Sequence, residues 1–281
     1  MYREAMKCGF NLFDIFRIYK YKLDEFRAHP DHFRSFGTCI FCGAQGYGKT
    51  LSAVQYVKRV RNMYPKCIVV SNVTIKSLPF NTELRKDDNG YYLFFIPTQS
   101  RIDTEWIISE YNRLGDAFPG VNIEYTGLDM LKYVNNNEYG VIFLIDEPHL
   151  ELNSLESKNI DIEVMVEISQ QRKQRKHIVG TSQIFMRLAK PLREQIHDII
   201  LCNNYFGAVQ YNKWIDGDTV REENGKILAD VKGRFIWTYK SKYFDEYDTY
   251  AKMRRYNQEW NGRKRLDDFY ERGAQYVRFA D

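Results

Sequence analysis

The residues best suited to chemistry are Gly43, Ala44, Gln45, Gly46, Tyr47, Gly48, Lys49 and Thr50, which follow the short apolar run Thr38-Cys39-Ile40-Phe41-Cys42. An apolar run, a glycine-spaced turn and then Lys-Thr is the order of a phosphate-binding loop. The glycines let main-chain N–H groups converge on phosphate oxygens, and the helix that opens through Leu51 aims the positive end of its dipole at the same anion. In that pattern Lys49 reaches the β- and γ-phosphates of a nucleoside triphosphate and Thr50 holds Mg²⁺.

A second chemical landmark lies about 100 residues on. Val141-Ile142-Phe143-Leu144-Ile145 ends in Asp146-Glu147. Five apolar residues and two carboxylates describe a strand buried on both faces whose C-terminal end delivers acids to a ligand crevice. Asp146 is then placed to bind Mg²⁺ through water, and Glu147 to polarise an attacking water. A further strand, His177 to Gln183, ends in polar groups beside Asp146, so Gln183 can sense the γ-phosphate or the water. Between the two strands Arg172-Lys173-Gln174-Arg175-Lys176 concentrates positive charge. That run reads three ways: a solvated helix end favoured by the dipole, a DNA-contact patch, or the source of an arginine finger.

These groups need a frame to hold them. The 281 residues suit one large domain with appendages, and 44% hydrophobic with 28% charged residues is ordinary for a folded protein. A formal net charge of +4 does not by itself argue for nucleic acid, so only local clustering can. The 21 Tyr and 18 Phe fit cores and interfaces before base stacking. Five cysteines, an odd number lying mostly in apolar runs, fit a reducing compartment. Cys39 and Cys42 point to opposite faces of a strand, which argues against zinc or redox use. No run approaches the ~18 apolar residues of a membrane span and no secretory h-region opens the chain, so the expected location is the cytoplasm.

In chain order, residues 1–36 read as an amphipathic helical arm that packs on its own core or a neighbour, with a membrane-surface role as the alternative. The core follows over 37–215. Leu51, Val54, Val57, Val60 and Tyr64 recur at helical spacing and Pro65 ends that helix. Cys67 to Val70 is a buried strand. An excursion over about 73–97 pairs Val73-Thr74-Ile75 with Tyr91 to Ile96 across an Asn89-Gly90 turn. Helices are expected over 103–113, 128–135 and 160–172. Apolar runs at Ile196 to Cys202 and Gly207 to Trp214 close the core. Residues 216–281 form an extension with one strand, 233–239, and an aromatic, basic tail suited to packing on a neighbour or to touching phosphate. The fold class is α/β, a RecA-like P-loop core with a mostly parallel sheet flanked by helices.

The strand order expected from these landmarks, with a glutamate after the Mg²⁺ aspartate and a further strand carrying a polar sensor, resembles the additional-strand class of P-loop ATPases. Within it the chain resembles the FtsK/HerA group, and more closely the zonula occludens toxin-like and filamentous-phage assembly ATPases. The likeness rests on GAQGYGKT at 43–50, Ser71-Asn72, FLIDE at 143–147, Gln171-Arg172, and TSQ at 181–183 with Arg193 ten residues on. It covers about 35–205 and departs from toxin-like members in showing no membrane helix after the core.

The resemblance implies a hexameric or pentameric ring in which a neighbour's arginine completes each site, with Arg172 or Arg175 the first candidates and Arg193 next. It implies an ATPase that translocates or packages double- or single-stranded DNA for a phage or mobile element in the bacterial host cytoplasm, with portal or envelope assembly proteins as partners. The alternative is a secretion ATPase acting on virion proteins and peripheral at the membrane.

Overall fold

The computed structural model describes residues 12–86, 92–95, 101–102, 104–118, 120–152, 160–223 and 226–247. The chain divides into two compact units, Met1–His32 and Phe33–Asp281. The first holds α1 (Leu12–Ala28), the helix expected in the arm. Among the described residues no helix is long and apolar enough to cross a membrane.

The second unit is built on β1 (Thr38–Cys42), β2 (Ile68–Ser71), β6 (Asn122–Glu124), β7 (Val141–Asp146), β8 (Lys176–Ser182), β9 (Ile196–Tyr205), β10 (Val209–Asp216) and β13 (Val231–Thr238). They form one sheet in the order β13-β10-β9-β1-β8-β7-β2-β6. The pairings from β9 to β6 are parallel, and β10 and β13 extend the sheet antiparallel beyond β9. The strand expected at 233–239 is β13, so part of 216–281 belongs to this sheet, while β11 (Arg221–Glu223) and β12 (Lys226–Leu228) pair with each other in a separate antiparallel ribbon. The decisive feature is that β8 lies between β1 and β7, which puts the end of β8 between the glycine loop and Asp146. This is a P-loop NTPase fold of the additional-strand class.

Burial explains why these strands read as apolar runs. All five residues of β1 are buried, as are the first five of β7. Alternate residues feed two cores. Ile40, Cys42, Val70, Phe143 and Ile145 face one layer with α3 (Thr104–Leu114) and α5 (Ile162–Gln170), packed through Ile107, Val164 and Ile168. Cys39, Phe41, Ile142 and Leu144 face the other with Val54, Val57 and Val60 of α2 (Lys49–Met63). Each of those valines contributes roughly 1.5–3 kcal/mol by leaving water. Cys39 and Cys42 therefore do point to opposite faces, and burial raises both thiol pKa values well above the usual range.

Several boundaries differ from expectation. The strand within 91–96 is β4 (Tyr92–Phe95), but its partner is β3 (Glu83–Lys86), with β5 (Arg101–Ile102) on the other side. Val73-Thr74-Ile75 is not a strand. The Ser71 hydroxyl donates to Val73 O and accepts from Val73 N, both at 2.9 Å, turning the chain so that Val73 and Ile75 enter the α2-side core. The Asn89-Gly90 turn lies outside the described residues. The 128–135 helix shrinks to α4 (Met130–Tyr133), and the 160–172 helix ends at Gln170. Gln171 is instead buried, accepting a hydrogen bond from Thr38 Oγ1 at 2.8 Å.

β8 is buried throughout although it contains Lys176, His177, Thr181 and Ser182. Each polar side chain has a partner, as burial demands. Lys176 Nζ donates to Glu167 Oε2 at 2.8 Å and to Leu131 O at 2.6 Å. His177 bridges Gly37 O at 2.6 Å and the Tyr56 hydroxyl at 2.9 Å, and burial lowers its pKa to about 4. A histidine held neutral in the fold and titrating near 6.5 when unfolded contributes stability above pH ~6.5 that is lost as the pH falls through 4, on the order of 3 kcal/mol. Urea unfolding across that window is expected to show the loss in wild type and a shallower slope in His177→Gln.

Candidate active site

The glycine loop begins where β1 stops. Gly43 N–H donates to Ser182 O at 3.3 Å, and a Cβ on Gly43 would meet Cys202 O at 2.6 Å. Gly48 has φ 70°, a left-handed conformation that only glycine adopts without strain, and its Cβ position is occupied by Gln210 Oε1 and the Tyr239 hydroxyl. The loop is thus shaped by what lies behind it as well as by its own glycines. Lys49 Nζ donates to Ala44 O at 2.9 Å, folding the side chain back over the loop. Gln45, Gly46 and Tyr47 are exposed at the loop's crown.

Thr50 and Asp146 meet although 96 residues separate them: Thr50 Oγ1 donates to Asp146 Oδ1 at 2.9 Å. Thr181 Oγ1, at the end of β8, donates to the same oxygen at 2.5 Å and accepts from Glu147 N at 3.1 Å. Asn72, just past β2, clamps the Asp146 main chain: it accepts from Asp146 N at 2.7 Å and donates to Asp146 O at 3.0 Å. Glu147 itself is held at φ 56°, ψ 56°. A left-handed glutamate is unfavourable by roughly 1–2 kcal/mol, and the Thr181 bond and the following Pro148 turn keep it there. The kink swings Glu147 away from the Asp146 direction and brings Oε1 to 3.3 Å from Gln183 Nε2.

The expected Lys49, Thr50, Asp146, Glu147 and Gln183 therefore gather at one end of the sheet. Arg172, Arg175 and Arg193 do not join them. Arg172 and Arg175 precede the start of β8, which pairs with the start of β7, and Arg193 precedes β9, whose first residue pairs with Thr38. Arg172 and Arg175 lie at the opposite end of the strands, about 20 Å away over the seven residues of β8. Arg175 Nη1 donates to Phe33 O at 2.9 Å, and Arg193 Nη1 lies 2.9 Å from the Met186 sulfur.

Four contributors escaped the motif reading as functional parts. Asn72 and Thr181 sit in quoted segments but carried no assigned role. Gln210 and Tyr239 come from the antiparallel extension. Gln210 is fully buried, and its Nε2 donates to Tyr47 O at 3.1 Å and to Asn212 Oδ1 at 2.7 Å, while Asn212 Nδ2 donates to Ser52 Oγ at 3.2 Å. The Tyr239 hydroxyl donates to Gln210 Oε1 and accepts from Asn204 Nδ2 at 2.9 Å. The available signal was polar residues alternating with apolar ones, Gln210 and Asn212, inside an expected strand.

The donor set fits the groups that the loop implies. Thr50 and Asp146 present hydroxyl and carboxylate oxygens side by side, the hard ligands that Mg²⁺ takes. The backbone N–H groups of the loop and the first turn of α2 form a cradle for phosphate.

No protein-family model matches the chain, and no curated protein sequence matches it. Among solved structures the chain is similar to the N-terminal domain of zonular occludens toxin from Neisseria meningitidis, at 16% identity and a TM-score of 0.44, covering 75% of this chain and 98% of that one. It is also similar to the genome packaging NTPase B204 from Sulfolobus turreted icosahedral virus 2 in complex with ATP-gammaS, at 11% identity and a TM-score of 0.39, covering 60% and 75%. The fold assignment rests on the strand order and the loop.

Thr181→Val removes the donor to Asp146 and leaves Glu147 N without an acceptor, a cost of about 1–3 kcal/mol. We expect a fall of that size in unfolding free energy, measured by urea titration beside wild type.

Proposed function

We propose that the protein hydrolyses ATP and uses the reaction as a ring-shaped motor that moves DNA for a phage or mobile element. The observation that carries the hydrolysis reading is Glu147: a carboxylate one residue beyond Asp146, turned aside by left-handed backbone and hydrogen-bonded to Gln183. A site that only held nucleotide has no use for a second acid poised off the metal position.

In this reading the loop N–H groups and Lys49 bind the triphosphate, and Gln183 orients a water against Glu147. Glu147 takes a proton as the water oxygen bonds to the γ-phosphorus, and the bond to the bridging oxygen breaks to leave ADP and phosphate. Thr50 and Asp146 would hold Mg²⁺, which when bound neutralises charge on the β- and γ-oxygens. Thr181 and Asn72 keep both acids in place.

The ring reading is supported by the placement of the arginines. Arg172 and Arg175 lie at the strand ends away from their own Glu147, so neither completes its own site, and an arginine at the γ-phosphate would come from a neighbour. ATP held between subunits couples hydrolysis to their relative movement.

Glu147→Gln is expected to bind ATP as wild type does and to lose turnover by about 10²–10⁴-fold, read by phosphate release and nucleotide titration. Duplex DNA added to wild type is expected to raise turnover. Turnover indifferent to DNA would count against the DNA motor and for the alternative, action on virion proteins at a membrane.

A further inference from the structure

At the strand ends opposite the glycine loop lies an open depression of about 690 Å³, lined by Arg34, Arg172, Lys173, Arg175 and His197. None of its lining residues is acidic. Four of them carry fixed positive charge, and two acids stand near, Glu138 at 3.9 Å from Arg175 and Asp218 at 3.4 Å from His197. Charge concentrated in this way is the footprint of a polyanion partner.

The hollow is built and not merely a basic stretch of sequence. Of the run 172–176, Lys176 is withdrawn into β8 and neutralised by Glu167. Arg175 is fixed by a left-handed backbone, φ 54°, and by its bond to Phe33 O, with Glu138 at 3.9 Å on the outer side. Arg172 and Lys173 are exposed and make no ion pair among the described residues. Ser35 and Ser169 add hydroxyls to the wall. The one apolar lining residue, Phe33, is fully buried, so nothing in the hollow can insert into a bilayer.

We infer that this hollow grips the sugar-phosphate backbone of DNA. The inference rests on the DNA-motor reading and deepens it by assigning the contact surface. Backbone contacts of this kind are independent of base sequence and weaken steeply with salt. The arrangement also links contact to chemistry: β8 runs directly from Lys173 and Arg175 to Thr181 and Gln183, so DNA held here pulls on the strand that positions Glu147.

The test uses the full chain, a fluorescent duplex of arbitrary sequence, and the variants Lys173→Glu, Ser169→Glu and, as a control with the same charge change outside the hollow, Arg59→Glu. Lys173→Glu and Ser169→Glu are expected to bind at least about tenfold more weakly at ~0.1 M salt, and Lys173→Glu to lower the log–log salt slope by about one. Turnover without DNA should be unchanged in both, and its stimulation by DNA lost. Binding by Lys173→Glu equal to that of Arg59→Glu overturns the inference while leaving the motor reading intact. Reduced DNA-free turnover in Lys173→Glu also overturns it, since the hollow then serves a neighbour's ATP. Wild type that hydrolyses ATP but binds no DNA, or that binds anionic phosphatidylglycerol vesicles through Lys173 instead, removes the inference and the DNA reading together.

Discussion

The hydrogen bond from the Thr50 hydroxyl to the Asp146 carboxylate is the constraint on which the remaining arrangement depends. It joins the first turn of α2, which follows β1 and the loop, to the end of β7, and the two strands concerned are not neighbours in the sheet because β8 lies between them. The bond is possible only if β1, β8 and β7 stop at the same level. Their parallel register ensures that: Cys42 pairs with Ser182, and Asp146 with Thr181. The inserted strand then makes its own contribution, because Thr181 is the residue that can reach both acids at once.

A second constraint acts on the loop from the other side of β1. The phosphate loop is usually described by its glycines, yet here its shape also depends on the buried amide of Gln210 and the hydroxyl of Tyr239. Each such bond nets only about 1 kcal/mol, but stranding one of these buried groups costs about 1–3. The antiparallel strands β10 and β13 are therefore part of the loop end of the molecule. The chain beyond them continues the connection: Glu246 pairs with Lys58 of α2 at 2.8 Å and accepts from Ser77 N at 3.1 Å, closing a strap from the loop to the segment after β2.

Much of this was legible in the amino-acid sequence where function and local pattern coincide. Apolar runs ending in Lys-Thr, Asp-Glu and Ser-Gln identify strand, loop and acid without reference to anything distant, and helical spacing from Leu51 to Val60 marks α2. What was not legible depends on distance. Gln210 lies 163 residues from the carbonyl it holds, and no spacing rule connects them. The partner of β4 was misread because Val73 and Ile75 have the alternation of a strand, while Ser71 bends the chain and both side chains belong to a core. The basic run 172–176 could not be sorted into solvated and buried charges, since that depends on Glu167 folding back from α5 onto Lys176.

In the proposed function Thr50 and Asp146, brought together by the β1-β8-β7 register, form the metal-dependent half of an ATP site. Its most direct test is a titration of ATP into the wild-type chain and into Asp146→Asn at increasing Mg²⁺. Wild-type affinity is expected to rise at least about tenfold with Mg²⁺ while that of Asp146→Asn stays flat. An equal response in the two proteins would contradict it.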